Sequence, residues 1–236
     1  MKYKIKFLFF ILFFLFFQTS LLSAQSNSWE NDLGLWSPVH FSLPINKKLK
    51  THFEISPRIQ ENITHINQLL VRPSVGYQLT DNLSFWQGYG WVTNYIPRFT
   101  REERIWQQIL HEKEFSKFRL TNRFRLEERF IQDINGAPIR TRYLLRAMFP
   151  LEKKKEWFFV TSDELFVNLD SHFEGPQAGI DQNRLFVGLN HKVSDNVNLE
   201  GGYQMQYLNR QSSAQDRLNH IILIKMYFDL PQLMKD

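Results

Sequence analysis

The chain has 236 residues, 43% of them hydrophobic and 15% aromatic, with a formal charge of +5 and no cysteine. That length suits a single all-β domain. The lack of cysteine excludes a disulfide framework, a thiolate zinc site and a lipidated N-terminal cysteine, and it fits a bacterial envelope protein better than a secreted eukaryotic module.

Lys2, Lys4 and Lys6 precede an unbroken apolar run over 7–17 and a small-residue stretch ending in Ser23-Ala24. This pattern predicts a secretory signal peptide, 1–24, cleaved after Ala24, with 25–236 as one barrel domain. The apolar run is about half of the roughly 20 residues a spanning helix needs. Without the three leader lysines the charge falls from +5 to +2, so the basic balance implies no nucleic-acid partner.

After the leader come stretches of alternating polarity, the side-chain period of a β-strand. Residues 33–43 set Leu33, Leu35, Val39, Phe41 and Leu43 on one face. Residues 49–60 set Phe53, Ile55 and Ile59 against His52, Glu54, Ser56 and Arg58. Residues 68–79 set Val71, Val75 and Tyr77 against Arg72, Ser74 and Gly76; residues 83–93 set Phe85, Tyr89 and Trp91 against Ser84, Trp86, Gly88 and Gly90. The stretch 104–115 is a strand whose faces alternation does not assign. The clearest strand is 118–130: Phe118, Leu120, Phe124, Leu126 and Phe130 alternate with Arg119, Thr121, Arg123, Arg125, Glu127 and Arg129. Further strands follow at 139–151, 156–169, 182–192, 197–208 and 218–230. Their polar faces carry Arg140, Arg142 and Arg146, then Glu164, Arg184 and Glu200.

The connections alternate between short turns rich in Asp and Asn, which suit tight turns, and longer loops, the rim asymmetry of outer-membrane barrels. Eleven segments sit badly with the even strand number of single-chain bacterial barrels, whose two ends share the periplasmic rim. A short further strand within 28–36 makes about twelve; a ten-strand barrel with an unpaired N-terminal segment is the alternative. A faint repeat relates Arg72 to Gly76, with Gly88-Tyr89, to Arg184 to Gly188, with Gly202-Tyr203.

Alternation alone also permits a periplasmic β-sandwich that binds a ligand or partner, with the apolar faces turned inward. Three features favour an antiparallel up-and-down transmembrane barrel with a polar, Arg-rich lumen. The strands match the roughly 9–11 tilted residues that cross a bilayer. Closure is the way strands satisfy their backbone groups in lipid. The outward sets carry Trp29, Trp36, Tyr77, Tyr89, Trp91, Tyr143, Trp157, Tyr203 and Tyr207, residue types suited to membrane interfaces.

Trp29, 54–58, Arg72-Pro73 to Tyr77, Gly88-Tyr89, Glu103-Arg104 with Gln107-Gln108, the Arg123-x-Arg125-x-Glu127-x-Arg129 run, Arg140-x-Arg142, Glu164, 183–188 and Gly202-Tyr203 occur in that order. On these residues the chain resembles the bacterial domain-of-unknown-function family two-four-nine-zero across most of its length after the leader. The resemblance implies an outer-membrane-barrel-like fold and location, and it supplies no activity.

The expected lumen residues are Arg58, Arg72, Arg119, Arg123, Arg125, Arg129, Arg140, Arg142, Arg146 and Arg184, with Glu54, Glu127, Glu164 and Glu200. Like charges on neighbouring strands repel, so acids or anions must sit between them. The expected role is a structural envelope protein or a small anion-leaning pore in the bacterial outer membrane. Its partners would be membrane lipid and lipopolysaccharide, with small anions or acidic sugars inside. An enzymatic reading, a lipid hydrolase, has only His40-x-Ser42 without a named acid, and the loop trio Asp170, His172 and Asp181. No Gly-rich phosphate loop, zinc spacing or serine elbow occurs, so neither enzyme activity, metal nor cofactor is expected.

Overall fold

The computed structural model describes residues 30–210 and 215–234; the expected leader and Trp29 lie outside them. The regular structure among the described residues is all β. The strands are β1 (Glu30–Trp36), β2 (Val39–Pro44), β3 (Leu49–Gln60), β4 (His65–Thr80), β5 (Leu83–Asn94), β6 (Thr100–Glu114), β7 (Arg119–Ile131), β8 (Ile139–Pro150), β9 (Trp157–Asn168), β10 (Gly179–Lys192), β11 (Val197–Leu208) and β12 (Arg217–Asp229). Each strand from β2 to β12 pairs with the next, antiparallel, and β12 returns to β1 and β2 to close the sheet on itself. One closed sheet stands where the sandwich alternative required two.

Among the described residues twelve strands are present, as expected, but β1 and β2 form one stave. Trp36 lies opposite Arg58 and Leu223, and Val39 opposite Ile55 and Met226, so the register of β1 on β3 and β12 continues unbroken into β2. Only Ser37-Pro38 interrupts the stave, because Pro38 has no N–H for the ladder. The barrel therefore has eleven staves. With an odd number, the first and last staves run the same way, and β12 pairs with β1 and β2 in parallel. This corrects the expectation of a fully antiparallel barrel. It also puts Glu30 and Asp229 on opposite rims.

The apolar face of the alternation is turned outward and the charged face inward. Phe53, Val75, Phe85, Ile109, Phe124, Phe130, Tyr143, Val187, Leu199, Tyr203 and Ile222 are exposed on the outer surface, while Glu54, Arg58, Arg125, Glu127, Arg142 and Glu200 are buried within. Trp36 is the exception to the reading of the outer aromatics. It is buried against Arg58 inside the barrel, because it shares the phase of Asp32 and Gly34 rather than that of Leu33 and Leu35.

The turns 45–48, 81–82, 115–118, 151–156 and 193–196 lie on one rim. The connections 61–64, 95–99, 132–138 and 169–178, longer on average, lie on the other. Outside the shorter-loop rim, Phe118, Phe149 and Phe159 form a row with ring centroids 5.6 and 6.3 Å apart, and Trp157 stacks on His191 at 4.1 Å. At the longer-loop rim Asp32 accepts the amides of Glu61 (3.2 Å) and Asn62 (3.0 Å), residues held at left-handed φ of 54° and 57°. The faint repeat corresponds to two hairpins that turn on the shorter-loop rim. Gly202 faces Gly188 directly, whereas Gly88 faces Ser74, two residues from Gly76, because the first turn is shorter.

Candidate functional site: the charged interior

Arginine is suited to this interior because its planar fork engages carboxylates side-on and its face stacks on aromatic rings. Cross-strand register brings the partners together. Glu127 on β7 lies opposite Arg140 on β8. Its Oε2 accepts from Arg140 Nη2 (2.7 Å) and Nε (3.1 Å), and its Oε1 from Arg142 Nη1 (2.7 Å). Arg125 and Arg142 are directly opposite each other, and Glu127 lies between them. Glu164 accepts from Arg123 and from Arg142 Nε (2.9 Å) and Nη2 (2.6 Å). Glu102 does the same between the opposed Arg104 (Nε, 2.7 Å) and Arg129 (Nε, 2.6 Å). Nearer the shorter-loop rim, Glu200 joins Arg146 (Nη1, 3.0 Å) and Lys225 (2.9 Å), and Glu54 pairs with Arg72. Arg125 stacks on Trp106 at 3.9 Å and donates to Gln108 (2.7 and 3.0 Å).

Towards the longer-loop rim the filling gives way to a cavity of about 370 Å³, within the usual size range of small-molecule sites, about 300–1,000 Å³. Seven arginines line it: Arg58, Arg72, Arg104, Arg129, Arg140, Arg142 and Arg184. Trp36 and Phe166 supply aromatic surface, and Gln60, Gln68, Gln182 and Gln206 supply amides. Arg58 stacks on Trp36 at 3.8 Å, and Arg184 lies 4.9 Å from the same ring and 4.6 Å from Phe166.

Of the expected lumen residues, Arg58, Arg72, Arg123, Arg125, Arg129, Arg140, Arg142, Arg146, Arg184, Glu54, Glu127, Glu164 and Glu200 lie in this interior. Arg119 does not. It opens β7 at the shorter-loop rim and pairs with Glu114 (3.5 Å), with 47% of its side chain exposed. Alternation gives the face of a residue but not the height at which a strand leaves the barrel. The interior also holds Glu102 and Arg104, which alternation could not assign because β6 carries charge on both faces. The signal that places them is register: Gln108 opposite Arg125 fixes the even positions of β6 inward. Asp181, on Arg140 (2.8 Å), and Asp32, on Arg217 (2.8 Å), complete the set of acids sequence reasoning missed.

The enzymatic candidates do not come together. His40 stacks on Tyr227 at 4.6 Å and lies 3.7 Å from Glu54, and among the described residues it makes no hydrogen bond to Ser42. Asp181 turns into the cavity, away from Asp170 and His172. Those two instead join the longer loops. His172 faces the Asp170 carboxylate (3.1 Å) and the Asn135 carbonyl (2.9 Å), both acceptors, and Ile139 N–H donates to Asp170 (2.9 Å). The Asp170 bond first, then the Asn135 bond, hold the His172 pKa above the ordinary imidazole value. Desolvation opposes ionisation of Asp170, but the Ile139 and His172 bonds outweigh it and keep its pKa below the ordinary carboxylate value. The His172 contribution is therefore complete below the ordinary imidazole value and is lost as pH rises through the raised one. The Asp170 contribution is present above the ordinary carboxylate value and is lost as pH falls through the lowered one. Hydrogen exchange in 132–138 and 169–178, corrected for intrinsic rates, is expected to be slowest in mild acid and to quicken above neutrality, with His172→Gln removing that rise. Exchange independent of pH in the native chain would refute a tie between the two loops through His172.

The model for a family described as proteins of unknown function (DUF2490) matches residues 33–218. An uncharacterized protein of Methylorubrum extorquens is 33% identical over 180 residues, which cover 74% of this chain and 78% of that protein.

Proposed function

We propose that this chain, which belongs to the DUF2490 family of proteins of unknown function, is a bacterial outer-membrane barrel. Its interior is a structural ion-pair network that leaves at most a narrow, anion-leaning path. The observation that carries this reading is the inverted polarity: an apolar outer surface around buried arginines, Glu127 and Glu200. Lipid is the solvent in which that arrangement lowers free energy.

The polar groups on the outer surface support it too. An unsatisfied polar group in hydrocarbon costs several kcal/mol, and here several of them are bonded within the surface. Asn183 donates to Asp163 (2.7 Å), Gln107 to Gln87 (3.2 Å), Gln87 to the Trp106 carbonyl (3.1 Å) and Tyr143 to Asn122 (2.9 Å). Eleven staves fall between the roughly eight whose side chains just fill a barrel and the 16–18 that leave an aqueous channel. The long arginines take up the difference.

The reading is tested by cell fractionation and planar-bilayer recording. The protein is expected in the outer-membrane fraction, with electrophoretic mobility that changes on heating. Bilayers are expected to show small anion-leaning conductance or none. Recovery as a soluble protein without detergent would refute the membrane reading, and a large cation-selective conductance would refute the filled interior.

A further inference from the structure

We infer that the cavity at the longer-loop rim binds a ligand bearing an oxyanion flanked by hydroxyl groups, of the hexuronate (acidic sugar) class. This names a ligand for the anion-leaning interior proposed above and rests on that reading. The seven lining arginines meet five carboxylates: Glu54, Glu102, Glu127, Glu164 and Asp181. Arg58 and Arg184 are left over. Among the described residues neither has a carboxylate within ion-pair distance, and the Nε–H of each is buried without an acceptor. Arg58 is itself 91% buried, since 9% of it is exposed. A buried charge without a counter-charge is costly, and a bound anion removes that cost.

The two guanidinium groups are also held in place. Both lie against Trp36, and each donates to a glutamine, Arg58 Nη1 to Gln68 (2.7 Å) and Arg184 Nη2 to Gln182 (3.1 Å). Donors fixed before binding lose little freedom when a ligand arrives. The fork geometry favours carboxylate or phosphate oxygens. The rest of the wall decides for a polyol. Gln60, Gln68 and Gln206 are tied to Asn67, Asn94 and Asn219, yet each keeps an N–H and an oxygen lone pair to spare, which suits hydroxyl groups and offers a bare inorganic anion little.

Calorimetry on the full chain, folded in detergent, tests this with D-galacturonate, D-galactose and inorganic phosphate. Galacturonate is expected to bind about tenfold or more tightly than galactose, because hydrogen bonds to a charged group are the stronger ones. Arg58→Gln and Arg184→Gln should each weaken it by a similar factor, while Arg119→Gln on the far rim leaves it unchanged. Heat-modifiable mobility identifies any variant that fails to fold; Arg58→Lys and Arg184→Lys then keep the charge but lose the fork, and should weaken binding by less. No galacturonate binding, or galactose binding equally well, overturns the proposal. Phosphate binding as tightly as galacturonate overturns the sugar assignment. Because no membrane is needed, these outcomes stand apart from failure of the outer-membrane reading, which fractionation decides.

Discussion

Glu127→Gln is expected to lower the unfolding free energy of the barrel, refolded into lipid vesicles and titrated with urea, by about 3–5 kcal/mol, the range for breaking a buried ion pair from one side. Glu127 is 1% exposed and accepts from two guanidinium groups, with Arg125 Nη1 a further 3.7 Å away. Glutamine keeps the shape. It replaces one acceptor oxygen with an NH2 group that points at guanidinium donors, and it removes the charge between Arg125 and Arg142. Arg140 retains Asp181 and Arg142 retains Glu164, so the loss is partial and the fold survives. Glu114→Gln is the contrast. Glu114 pairs with Arg119 and Lys155 at the rim with 59% of its side chain exposed, and such a pair is worth about 0–1 kcal/mol. If Glu127→Gln cost no more than Glu114→Gln, water would already solvate these arginines. The barrel would then be wet at mid-height, and the conducting version of the function would gain over the filled one.

The faces of most strands were legible in the sequence because their two sides differ in polarity. In β7 the run from Arg123 to Arg129 needs nothing beyond period two, and Phe124 and Phe130 are outside as it requires. β6 was not legible, since Glu103 and Gln107 sit on the face of Ile105 and Ile109. The partners of the arginines were not legible either. Arg142 meets Glu127 and Glu164, and Arg146 meets Glu200, through register and through the curvature that faces β8 to β11. The pairing of Arg58 with Arg184 on Trp36 joins β3, β10 and the first stave. It depends on closure through β12, which no local pattern encodes. The eleven periodic segments gave the stave count directly. The parity rule for bacterial barrels argued against it, and the parallel seam between β12 and the first stave resolves the conflict.

A second large effect is expected at Gly88, where the interior has no room for a side chain. Gly88 lies opposite Trp106, and Gly76 opposite Trp86, so each indole of the pair covers a glycine on the neighbouring strand. A Cβ built on Gly88 would fall within the Trp106 ring. That ring cannot swing away freely, because Arg125 is stacked on it and Arg125 is itself bonded to Gln108. Gly88→Val should therefore cost about 1–3 kcal/mol by overpacking, seen as a lower urea midpoint at unchanged slope. Gly201→Ala, where the nearest atom to the new Cβ is 4.0 Å away, should stay within about 0.5 kcal/mol. The cause is isolated by a double-mutant cycle with Trp106→Ala. If collision with the indole is the mechanism, the double variant is less destabilised than the sum of the singles, and the coupling reaches the 0.5–3 kcal/mol typical of residues in contact. Additive losses would mean instead that valine strains the strand itself, and that the glycine is required by the bend of the barrel wall rather than by the tryptophan resting on it.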